Sequence, residues 1–138
     1  MKNVIDKETA ELEFERFCSA WEIDTDVADM DEEDRDSFND QKRKIVKAIC
    51  LGRLVFNENE ELEYKLAYPE KVDCNSVTLT RPDGAAFMSM DKYKEKEGTH
   101  KTFSVLAMSM QKNPSFLSRL DAIDIKPLMA VMNIFLVS

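Results

Sequence analysis

The spacing of the apolar residues changes once along the chain, near Gly52, and this change constrains the fold more than any other feature. Upstream, apolar residues recur every three or four positions, the period of a helix with one buried face. In 7–21 these are Leu12, Phe14, Phe17, Cys18 and Trp21, with Glu8, Glu11, Glu13 and Glu15 between them. Residues 22–30 have no period and read as a connector. A second helix is expected from Asp31, which can cap it, with Glu32, Glu33 and Asp34 in the first turn, where the helix dipole favours acids. Phe38, Ile45, Ala48 and Ile49 form its apolar stripe. Lys42, Arg43, Lys44 and Lys47 lie toward its C-terminus, and Gly52 stands where a helix is often closed.

Downstream of Gly52 the period becomes two. Arg53–Phe56 is short and apolar, and 57–60 is a polar break. Glu61–Tyr68 then alternates, with Leu62, Tyr64, Leu66 and Tyr68 on one face. This predicts a β-hairpin whose second strand ends at Pro69. A third strand is expected over Ser76–Arg81, with Val77 and Leu79 inward, followed by a Pro82-Asp83-Gly84 turn. Ala85–Met90 fits either a short helix or a fourth strand, and Asp91–His100 reads as a charged loop. A helix is expected from about Thr99 to Lys112, with Phe103, Leu106, Ala107 and Met110 on one face. Asn113-Pro114 interrupts it, because the residue before proline avoids helical geometry. A short helix around Phe116, Leu117 and Leu120 precedes a last one, which Asp124 is expected to cap and whose first turn holds Pro127. The expectation is a single α+β domain over 1–138: N-terminal helices, a small antiparallel β-sheet made of a hairpin plus one or two strands, and a C-terminal helical segment packed on it.

Charge is divided unevenly. The 138 residues carry a net charge of −8. Residues 1–40 hold 15 acidic and 4 basic residues, a net of −11, whereas 41–138 hold 12 acidic and 15 basic, a net of +3. The acidity therefore belongs to an N-terminal segment and not to the whole domain. A chain this acidic is poorly suited to neutralising phosphates, so no nucleic-acid partner is expected. No apolar run approaches the roughly 18 residues of a membrane helix, so no membrane partner is expected either. The start Met1–Asp6 has no apolar run of the signal-peptide kind. Cys18, Cys50 and Cys74 are odd in number and widely spaced, which suits reduced thiols and a reducing cytoplasm.

The usual templates for chemistry fail residue by residue. A calcium-loop register starting at Asp24 meets Asp29 where glycine is needed and Arg35 where the closing acid is needed. One starting at Asp29 meets Asp34 at the glycine position. Gly98-Thr99-His100-Lys101-Thr102 lacks the glycine before lysine that a phosphate-binding loop requires. His100 is the only histidine, and nothing in the sequence sets it beside a cysteine as a nucleophile–base pair or within a zinc set. No catalytic residue, metal or cofactor is expected. Six of the eight methionines, Met88, Met90, Met108, Met110, Met129 and Met132, fall between positions 88 and 132. Methionine fills irregular cores and also serves adaptable binding surfaces.

The segment order resembles the tail assembly chaperones of long-tailed bacteriophages. The resemblance lies in Lys42–Gly52 followed by Arg53–Phe56, the Leu62–Tyr68 strand, Val77-Thr78-Leu79-Thr80-Arg81-Pro82-Asp83-Gly84, and Leu120-Asp121-Ala122-Ile123-Asp124 leading to Asn133-Ile134-Phe135-Leu136. It covers most of 35–138. It implies a non-enzymatic protein of the bacterial host cytoplasm that binds the phage tape measure protein and helps the tail tube protein assemble around it. It also implies a short form of a protein often extended by a ribosomal frameshift. Because the last helix is apolar on more than one face, Met129, Met132, Phe135 and Leu136 are the residues expected to bind the client or to mediate self-association. Two other classes compete: an acidic interaction module such as a DNA mimic or an inhibitor of a host nucleic-acid enzyme, motivated by the acidic segment, and a small enzyme with a carboxylate site.

Overall fold

The computed structural model describes residues 3–93 and 97–137. Its elements run α1 (Lys7–Ala20), α2 (Glu32–Cys50), β1 (Leu54–Phe56), β2 (Leu62–Lys65), β3 (Ser76–Leu79), α3 (Gly84–Met88), α4 (Gly98–Met110), α5 (Pro114–Arg119) and α6 (Ala122–Val137). The three strands form one antiparallel sheet in sequence order. The architecture is the expected α+β one, and Ala85–Met90 resolves as helix rather than strand. Residues 94–96 of the expected charged loop, and Met1 and Lys2, lie outside the described residues.

Local chemistry accounts for the boundaries. Asp6 and Asp31 cap α1 and α2, accepting hydrogen bonds from the Thr9 and Asp34 amides at 2.7 and 2.8 Å. At the other end of α2, the Arg53 and Gly52 amides bond back to the Ala48 and Ile49 carbonyls at 3.1 and 2.9 Å. Gly52 has φ +75°, the left-handed conformation this closure needs. The chain thus turns directly into β1. In the sheet, Leu54 pairs with Tyr64 and Tyr64 with Val77, so the buried faces of all three strands coincide.

One core joins these layers. Phe14 and Phe17 of α1 and Trp21 just past its end pack with Phe38 of α2 and Phe56 of β1, ring centroids being 4.9–6.4 Å apart. The Trp21 indole N–H donates to the Glu60 carbonyl at 2.9 Å, and Arg16 donates to the Phe56 carbonyl at 2.7 Å, fixing α1 to the hairpin. α6 lies against both α2 and α4. At the far edge, Thr80 and Ser109 exchange backbone and hydroxyl hydrogen bonds, tying the end of β3 to α4.

Several expectations change. Leu12 is 61% exposed: the buried stripe of α1 is Ala10, Phe14, Phe17, Cys18 and Trp21, and a residue two positions from both Ala10 and Phe14 points the other way. Tyr68 is exposed because β2 ends at Lys65, before the alternation in the sequence does. Gly84 needs no positive φ; it opens α3, with the Asp83 carboxylate accepting from the Ala86 amide at 3.0 Å. Pro127 sits inside α6, beyond its first turn. The Ile123 carbonyl there lacks its usual i+4 donor, at a residue 45% exposed where water can take that place.

The largest correction concerns Asp124. It is not the cap of α6. Asp121 precedes the helix and accepts the Asp124 and Ile125 amides on its carbonyl, both at 3.0 Å. Asp124 is fully buried, and its carboxylate accepts three hydrogen bonds from the end of β2: the Tyr64 hydroxyl at 2.9 Å, the Ala67 amide at 2.8 Å and the Tyr68 amide at 3.0 Å. These contacts end the strand and pin α6 to the sheet.

Candidate interaction surfaces

The four residues expected to meet a partner do not share one exposed face. Met132 is fully buried, as are Leu128, Ala130, Val131 and Ile134. α6 is apolar on several faces because α2, α4 and the sheet end surround it, so its composition describes a central helix. Met132 is therefore unavailable to a partner in the folded chain. Met129, Phe135 and Leu136 are half-buried.

Phe135 leads from this core to the surface. Its ring stands edge-on to Trp21 at 6.0 Å and tilted against Phe87 at 6.1 Å. Phe87 is 41% exposed and Met88 is 71% exposed, both on α3. α3 thus carries an exposed apolar patch, with Phe135 as the inner support of Phe87. In the sequence Met88 stands out only as one of the methionines, and Phe87 carries no signal of its own. The turn signal of Pro82-Asp83-Gly84 hid the helix N-cap that aims these two side chains outward.

A second surface is cationic. A cleft of about 410 Å³ is lined by Arg43, Lys44 and Lys47 of α2, by Arg53 before β1 and by Lys126 of α6, beside Tyr64; none of its lining residues is acidic. Across the α2 ridge, a cleft of about 350 Å³ is lined by Lys7, Lys42, Arg43 and Lys47, with Glu11 as its acid. Asp40 binds Arg43 at 2.9 Å and Lys44 at 3.1 Å, and the Arg43 hydrogen bond, then that of Lys44, holds its carboxyl below the usual range. Lys47 and Lys126 have no ion pair among the described residues.

Tyr64 and Cys18, two groups capable of acid–base or nucleophilic chemistry, are buried. Burial, then the Asp124 hydrogen bond, pushes the Tyr64 phenol well above its ordinary value, so it stays neutral. Burial pushes the Cys18 thiol up to about 12, far from a reactive thiolate at neutral pH. His100 is exposed, stacks on Tyr93 at 5.6 Å and lies 3.8 Å from the Glu97 carboxylate. Among the described residues, no group of three His, Cys, Asp or Glu side chains is placed to hold a metal ion. No helix among them is long and apolar enough to cross a membrane. No protein-family model matches the chain, and neither a curated protein nor a solved structure does.

Proposed function

We propose that the protein is a tail assembly chaperone of a long-tailed bacteriophage. It binds the tape measure protein in the host cytoplasm, keeps it soluble, and promotes assembly of tube protein around it, without a catalytic step. The observation that carries the reading, beside the segment order, is the exposed pair Phe87 and Met88, of which Phe87 is seated against Phe135. An aromatic and a flexible thioether on a short surface helix suit an adaptable contact with the apolar stripe of a helical client. The acidic first 40 residues oppose aggregation while such a surface is open.

Co-expression in bacteria with a tape measure protein tests this. The wild-type chain is expected to keep the client in the soluble fraction. The Phe87→Glu, Met88→Glu double variant is expected to lower that fraction severalfold while its own thermal melt stays within a few degrees of wild type. An unchanged soluble fraction with the well-folded variant overturns the assignment of this surface. A client that is equally insoluble with and without the wild-type chain overturns the function.

A further inference from the structure

The outer face of α2 is divided by charge. Glu32, Asp36, Asp40, Arg43 and Lys47 recur at spacings of four, four, three and four, which places them on one stripe. All but the half-buried Asp40 are exposed, and the opposite face of α2 is occupied by α1, β1 and α6. The N-terminal half of the stripe is acidic and continues backward into Asp24, Asp26, Asp29 and Asp31. The C-terminal half is basic and forms the ridge between the two cationic clefts. Nineteen residues of helix extend roughly 28 Å, so the acidic end cannot fold back onto the basic end of the same molecule.

We propose that a second copy of this chain docks on the stripe, with the two α2 helices antiparallel. A two-fold axis crossing α2 between Asn39 and Asp40 sets Glu32 against Lys47 and Asp36 against Arg43. The symmetry repeats both pairs, as an isologous interface requires. The acidic segment before Glu32 then reaches the partner's clefts, where Lys47 and Lys126 have no ion pair among the described residues of their own molecule. Unlike the expected self-association through the last helix, this interface uses no residue of the apolar surface and leaves Phe87 and Met88 open on each copy.

Charge exchange tests the geometry. Sedimentation of the wild-type chain at low salt is expected to show a concentration-dependent dimer whose dissociation constant rises at least about tenfold between about 50 and 500 mM salt, as exposed charge pairs are screened. Arg43→Glu with Lys47→Glu makes the stripe wholly acidic. Glu32→Lys with Asp36→Lys makes its arms basic. Each variant alone is expected to be monomeric with unchanged circular dichroism, and an equimolar mixture is expected to form a 1:1 heterodimer, because positions 32, 36, 43 and 47 of one copy then oppose charges of the other sign. A wild-type chain that stays monomeric at every concentration overturns the proposal, and so does a dimer indifferent to salt. Folded variants that remain monomeric when mixed overturn the antiparallel register.

Discussion

α2 and α6 are similar in length, 19 and 16 residues, and they pack against each other, yet they differ in what their residues say before folding. α2 meets water on one side along its whole length. Its apolar stripe, its Asp31 cap and its Gly52 closure each name its place. α6 is enclosed, so apolar residues occupy several of its faces, and no polar stripe marks an outside. In a central helix, surplus apolarity and a partner surface look alike. Only neighbours distinguish them: Met132 is fully buried on a helix packed against α2 and α4, whereas Met88 on short α3 is 71% exposed.

The sharpest break of this comparison is at Asp124. Asp124→Ala removes the acceptor of one buried and two part-buried donors at about 1–3 kcal/mol each, partly offset by removal of a desolvated charge. The expected loss is about 3–5 kcal/mol in a denaturant melt. A loss near that of an ordinary cap, about 1 kcal/mol, would reduce the clamp between α6 and the sheet to a surface-like contact. Next is Met132→Ala, expected to cost about 2–5 kcal/mol through the cavity it leaves, whereas Met88→Ala is expected to stay within about 0.5 kcal/mol. Equal effects at the two methionines would dissolve the distinction between enclosed and outward apolar residues. On α2, Asp31→Ala is expected to cost about 1 kcal/mol, detectable as a small shift of the same melt.

Alkali probes both regions at once. The Cys18 thiol beside α2 and the Tyr64 phenol beside α6 hold their protons more tightly folded than unfolded. A raised folded value contributes stability that is complete below the unfolded value and lost as pH rises toward the folded one. Stability is therefore expected to fall as pH rises above about 9, with Cys18 contributing first and Tyr64 from about pH 10. Denaturant midpoints measured across this range check it, and Tyr64→Phe is expected to flatten the later part. A midpoint independent of pH would show that neither proton is held by the fold.

The legible parts of the molecule are those set by neighbours in sequence. The cap at Asp31, the break at Asn113-Pro114, the closure at Gly52 and the alternation from Leu62 to Leu66 depend on residues a few positions apart. The end of α4 shows where that reach fails. Gln111 takes the left-handed conformation, with φ +55°, so that the Lys112 amide can bond to the Ala107 carbonyl at 2.9 Å, and no glycine marks the place. Tyr68 continues the alternating pattern yet faces outward, because its amide and that of Ala67 leave the strand ladder for Asp124, 56 and 57 residues away.

By itself, the sequence determined the α+β order of elements, the burial of the α1 and α2 stripes apart from Leu12, and the division of charge between the first 40 residues and the rest. These follow from side-chain period, local capping and covalent order, and they need no knowledge of what lies opposite. Tertiary structure alone decided the burial of Met132, the role of Asp124, the outward aim of Phe87 and Met88, and the gathering of Arg53 and Lys126 beside the basic half of α2. Each of these depends on which distant segment arrives to cover, donate to or flank a side chain. Hydrogen bonding and apolar burial are settled by that arrival and not by the residue's own identity.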